Sequence, residues 1–66
     1  MSPAAVILTR YEKAELHYRT HVKRADELAA RGDYHRAAMH LEGAATWARL
    51  LSDLSEKLQT IGNCTR

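Results

Sequence analysis

The chain of 66 residues lacks most of the devices that fix a small fold. Its one cysteine, Cys64, cannot close an intramolecular disulfide, and no cysteine and histidine cluster has the spacing of a structural zinc site. Proline is absent after Pro3, so no residue beyond that point forbids helix. Three glycines are too few for a linker or a phosphate-cradling loop, and Ser52 and Ser55 have no glycine-flanked elbow to make either a nucleophile. The apolar run Ala4-Ala5-Val6-Ile7-Leu8 is too short to span a bilayer, follows no basic segment and precedes no small-residue cleavage site. These absences point to a non-enzymatic cytoplasmic protein with no cofactor or metal.

Charge of either sign is not in large surplus. Ten Lys and Arg stand against eight Asp and Glu, for a net charge of +2, and the two signs alternate along the chain. Arg19, Lys23, Arg24, Arg31 and Arg36 gather on either side of residues 32–33, but Asp26, Glu27 and Asp33 stand among them, so a solvated face is favoured over a nucleic-acid footprint. No membrane partner is expected either.

What the chain does have is helical periodicity. Ser2-Pro3 has the order of an N-cap and a first helical residue. Ile7, Tyr11, Ala14, Tyr18, Val22, Ala25 and Leu28 or Ala29 then recur at steps of three and four, the stripe of an amphipathic helix over about residues 3–31. Glu15 and Arg19, Lys23 and Glu27, and Glu27 and Arg31 lie four apart on its polar faces. Gly32 stands where a left-handed C-cap is wanted, and Asp33 where the next helix needs an acceptor for its free N–H groups. A turn at 32–33 this short obliges the flanking helices to pack antiparallel.

The second helix is expected over about residues 34–61. Tyr34, Ala37, Ala38, Leu41, Ala44, Ala45, Ala48 and Leu51 carry its first stripe, with alanines permitting close approach and with Tyr34, packed near Leu28, and Leu41 filling the gap at its two ends. Trp47, Leu50, Leu51, Leu54, Leu58 and Ile61 carry a bulkier second half. Ser52-Asp53 offers another capping point, which leaves open a short third helix. The fold class is therefore all-α: one antiparallel helical hairpin spanning residues 1–66. A chain this short buries only about 60% of its unfolded surface, so two hairpins are expected to pair as a four-helix bundle.

His17 and His21 lie four residues apart on one helical face. That spacing can hold a metal, but no third ligand is evident, and a surface or interface pair is the plainer reading. Trp47, the single tryptophan, reads either as a plug in a dimer core or as an anchor for a partner. A protein-binding surface is accordingly expected at Trp47, Leu50, Leu54 and Leu58, with Arg49 and Arg19 on its rim; Gly32, Asp33, Tyr34 and Ala37 form the structural turn.

Around that turn, Leu28, Gly32, Asp33, Tyr34, Ala37, Leu41 and Ala44 resemble the middle of a single tetratricopeptide-type helical hairpin. In size and layout, Ala25, Leu28, Gly32, Asp33, Tyr34, Ala37, Ala38, Ala44, Ala45, Trp47 and Cys64 make the chain similar to the AraC-negative-regulator and PerC-like families of small bacterial regulators. The resemblance covers roughly Tyr11 to Ala48. It implies a small protein that binds a bacterial transcription activator and blocks its dimerisation or DNA contact. Two further readings share the same physical profile. One is a phage- or plasmid-encoded inhibitor of a host regulator or defence complex, of the quorum-sensing anti-activator or anti-CRISPR type; the other is a hairpin whose role is oligomerisation alone.

Overall fold

The computed structural model describes residues 2–64 and contains two helices, α1 (Pro3–Ala30) and α2 (Tyr34–Cys64), packed as an antiparallel hairpin. Its extents of 51 × 17 × 12 Å are those of a rod two helices wide. No helix among the described residues is long and apolar enough to cross a membrane. Thr65 and Arg66 lie outside the described residues, as does the thiol of Cys64.

Local chemistry sets the helix ends. The Ala5 N–H donates to Ser2 Oγ at 3.2 Å, capping α1 ahead of Pro3. At the other end Gly32 takes φ +81°, the left-handed conformation that a β-carbon disfavours. Its N–H donates to the Ala29 carbonyl at 2.9 Å, and the Asp33 N–H donates to the Leu28 carbonyl at 2.9 Å. This paired arrangement is a Schellman cap, which satisfies carbonyls that the end of α1 would otherwise leave bare. Asp33 then serves the next helix: its Oδ1 accepts from the Arg36 N–H at 3.2 Å and its carbonyl accepts from the Ala37 N–H at 3.1 Å. Three residues thus close one helix and open the other.

α2 runs without interruption to Cys64, so Ser52-Asp53 does not begin a third helix. The physical reason lies in the stripe that crosses it. Trp47, Leu51, Leu54, Leu58 and Ile61 continue in the same three- and four-residue steps, and a break would take Leu54 out of register with α1. The helix also passes through Gly62, where the sequence pattern predicted its end.

The interior consists of Ala14, Ala25, Leu28, Ala37, Ala44 and Leu54. The seam on α1 agrees with the predicted stripe at Ala14, Ala25 and Leu28, with Ile7, Tyr11, Val22 and Ala29 half-buried beside them. On α2 the expectation needs correction: Tyr34 is 71% exposed and Leu41 is 52% exposed, so neither fills the inter-helix gap. The seam runs instead through Ala37, His40, Ala44, Trp47, Leu51, Leu54 and Leu58, and Tyr34 and Leu41 lie on the neighbouring stripe. Leu28 over Ala37 closes the turn without help from the tyrosine ring.

Surface ion pairs follow helical spacing with one change. Arg19 meets Glu15 at 3.2 Å as expected, but Glu27 is held by Arg24 at 3.2 Å, three residues away, and not by Lys23 or Arg31. Such exposed pairs contribute only a few tenths of a kcal/mol, roughly, so burial and turn chemistry decide the fold.

Because the backbone at Gly32 is left-handed, replacing it with alanine is expected to destabilise the hairpin by about 1–2 kcal/mol. Asp33→Ala, which removes the cap of α2, costs about 1 kcal/mol. Urea unfolding followed by far-ultraviolet circular dichroism checks both; unchanged midpoints would show that the seam alone sets the reversal.

Candidate protein-binding surface

Sequence reasoning proposed Trp47, Leu50, Leu54 and Leu58 as one apolar surface, and the structure divides them. Leu54 is only 3% exposed and belongs to the interior. Leu58 is half-buried along the same seam, whereas Leu50 is 39% exposed. Trp47 is half-buried, and its indole stacks on the His17 imidazole with ring centres 4.4 Å apart and planes inclined by 13°. Arg49 is exposed on α2, and Arg19 is exposed on α1 beside Glu15. The six residues therefore do not form one continuous outer patch.

His17 and His21 both engage α2. Four residues along α1 from the His17–Trp47 stack, His21 Nδ1 lies 3.1 Å from His40 Nδ1, with both rings partly buried. Beneath the His21 ring sits Gly43, where an added β-carbon would come within 3.2 Å of the imidazole. The glycine is thus a pocket floor: hydrogen in place of a methyl lets a flat ring lie against the α2 backbone. Sequence reasoning passed over His40 and Gly43. The signal was present, since Ala37, His40, Ala44 and Trp47 continue one heptad stripe, but an imidazole does not register as apolar in a periodicity count.

The two Nδ1 atoms face one another almost head-on. The ring centres are 5.4 Å apart, a separation that the nitrogen gap and the two ring radii nearly exhaust. A chelated ion would instead need both nitrogens to aim at a third point, and no group of three or more His, Cys, Asp or Glu side chains converges among the described residues.

Outside the seam, the two flanks of the hairpin differ. Because α1 and α2 have the same hand and opposite directions, the residue that follows each seam position falls on the same flank in both helices. On that flank stand Glu15, Tyr18, Val22, Asp26 and Ala29 from α1 and Ala38, Leu41, Ala45 and Ala48 from α2, with Tyr34 at the turn end. Apart from Glu15 and Asp26, it is apolar over the half of the rod near the turn. The opposite flank carries Lys13, Thr20, Arg24 and Glu27 with Arg36, Thr46, Asp53 and Lys57.

The basic residues near the turn are not a free cationic cluster. Arg19, Arg24 and Arg36 lie against Glu15, Glu27 and Asp33, at 3.2, 3.2 and 3.6 Å respectively. Shallow depressions occur at Ile7, Asp53, Lys57 and Ile61 and at Val6, Thr9, Arg10 and Lys13, both wide open to solvent. No protein-family model matches the chain, and neither does any curated protein or solved structure at a significant level.

Two effects oppose each other at Gly43. Alanine is the better helix former by about 0.8–1 kcal/mol, but its methyl would push the His21 ring off His40. Gly43→Ala is expected to destabilise the chain by about 1 kcal/mol with His21 present and to stabilise it by a similar amount in a His21→Ala background. A double-mutant cycle in urea measures the difference; additive effects would show that the ring does not depend on the glycine.

Proposed function

We propose that this chain is a non-enzymatic regulator that acts by stoichiometric binding, pairing with a second copy and inhibiting another protein. The distribution of apolar side chains supports this reading above all. Four of the six interior residues are alanines, while Tyr34, Leu41, Met39 and Leu16 are each more than half exposed. A buried leucine contributes about 1.5–3 kcal/mol, and the interior contains two, so much of the chain's capacity for apolar burial stays on its surface. Surface of that kind is used by covering it with another chain.

The flank bearing Tyr18, Val22, Tyr34 and Leu41 suits a helix as its occupant. Large and small residues alternate along α2 in the order Tyr34, Ala38, Leu41, Ala45, so the knobs of an opposing helix can enter the gaps above the alanines. A second hairpin placed there completes a four-helix bundle. Trp47 near the middle of the rod and Leu50 and Leu58 beyond it, with Arg49, remain as contacts for the inhibited protein. The target implied by the likeness to the AraC-negative-regulator and PerC-like families, over roughly Tyr11 to Ala48, is a bacterial transcription activator.

Sedimentation of the purified chain should show a dimer that dissociates on dilution. Leu41→Lys should weaken association by about 2 kcal/mol or more, near thirtyfold, whereas Leu16→Lys on the outer face of α1 should leave it unchanged. A wild-type chain that sediments as a monomer at millimolar concentration would remove the dimer. Inhibition is checked separately, by following activator-driven reporters in a bacterial host as the chain is expressed. Loss of repression in Trp47→Ala, with the protein still folded, is the expected result; repression by no wild-type chain on any activator would discard that target class.

A further inference from the structure

Given the dimer reading above, on which this rests, we propose that the second copy lies on the Tyr18–Leu41 flank with both turns at the same end, the two chains related by a two-fold axis along the rod. The register follows from the hairpin itself. His17 against Trp47, and His21 against His40 and Gly43, bring Tyr18 nearly level with Ala45, Val22 with Leu41, and Ala29 with Tyr34. A closed two-fold along the rod permits no slip, so α1 of one chain faces α2 of the other in that same register. Tyr18 then stands over Ala45 of the partner subunit, and Ala29 faces Tyr34 of the partner subunit, so each large ring meets a methyl. Between these two layers Val22 meets Leu41 of the partner subunit. Beyond Ala48 the flank turns polar at Ser52 and Gln59, which confines the contact to the half of the rod near the turn.

Charges along the outer edge of the flank select this orientation. Lys23 on α1 and Glu42 on α2 are exposed there and make no ion pair among the described residues, and the same holds for Glu12 and Arg49. With the turns together, Lys23 stands nearly level with Glu42 of the partner subunit, and Glu12 with Arg49 of the partner subunit, and the symmetry repeats each pair. Arg49 thus borders the dimer face as well as the surface left for the inhibited protein. The other closed arrangement sets the axis across the rod, with the turns at opposite ends and the apolar halves centred on each other. Each helix then faces its own copy. Leu41 lies over Leu41 of the partner subunit, which sets Glu42 against Glu42 of the partner subunit and Lys23 against Lys23 of the partner subunit. Exposed pairs add little to affinity, but like charges brought face to face count against an orientation, and here they count against opposed turns.

Two measurements on the full chain test the arrangement. Lys23→Glu and Glu42→Lys each place like charges at two symmetric contacts, and each should weaken dimerisation about tenfold at low salt. The double variant Lys23→Glu/Glu42→Lys restores both pairs in reverse and should return to within about twofold of the wild type. Single reversals that leave the dimer constant unchanged overturn the proposal, because that is the result expected where each residue faces its own copy. The second measurement leaves the contact face untouched: Cys64→Ser/Gln59→Cys carries a spin label at the exposed far end of α2. With the turns together the two labels lie level, no more than about 30 Å apart, roughly the width of a four-helix bundle. With the turns opposed and centred on Leu41 they lie about 50 Å apart or more, at about 1.5 Å of rise per residue. The longer distance overturns the arrangement and leaves the dimer standing, whereas a wild-type chain that stays monomeric at millimolar concentration removes both.

Discussion

How closely two helices approach is set by what stands between them, and here that is mostly alanine. Ala14 and Ala25 on α1 and Ala37 and Ala44 on α2 bring the backbones near enough that few large side chains fit. Leu28 near the turn and Leu54 in the far half are the large aliphatic groups buried among them. Near the middle of the seam the occupants are flat rings. His17 lies parallel to Trp47, and His21 lies over Gly43, an arrangement that asks for rings in place of branched chains. The same closeness that makes the hairpin thin also limits what it can bury, and so places leucine, methionine and tyrosine on its outer surfaces. The thin interior and the apolar exterior have one cause.

The close seam depends in turn on the three residues that reverse the chain. With Gly32 left-handed and Asp33 bonded to both helices, α2 leaves the turn already aligned with α1, and Ala37 arrives against Leu28 and Ala25. A looser connection would let α2 rotate about its axis. One residue of rotation would exchange the small stripe beginning at Ala37 for the stripe beginning at Ala38, which includes Leu41, and would lift His40 from His21. The turn thereby selects which stripe of α2 is inside.

That choice was the part of the fold least legible in the sequence. The turn could be read from Gly32 and Asp33 because their backbone requirements are local, and the two long helices could be read because apolar spacing over many residues averages out ambiguity. In α2, however, Ala37 and Ala38, Ala44 and Ala45, and Trp47 and Ala48 supply small or apolar residues on two adjacent stripes, so periodicity alone does not choose between them. Counting Tyr34 and Leu41 as core followed from giving size more weight than position. The histidines were discounted for the opposite reason: polar by composition, His21 and His40 are half-buried here because each finds a partner on the other helix, and His17, though exposed, stacks on Trp47. The Leu54 side chain was recognised as apolar but placed on a binding surface, although its register with Ala44 and Leu58 puts it inside.

The two flanks divide the work of the hairpin. Gly43, the residue before Ala44, leaves room for the His21 ring on the side of the seam toward the flank that carries Thr20, Arg24, Arg36 and Thr46. Leu41, the residue after His40, belongs to the other, apolar flank with Tyr18 and Val22. A chain seated on the second flank leaves the first open. Both flanks rest on the same alanine seam, so the register that Gly32 and Asp33 set for α2 places them together.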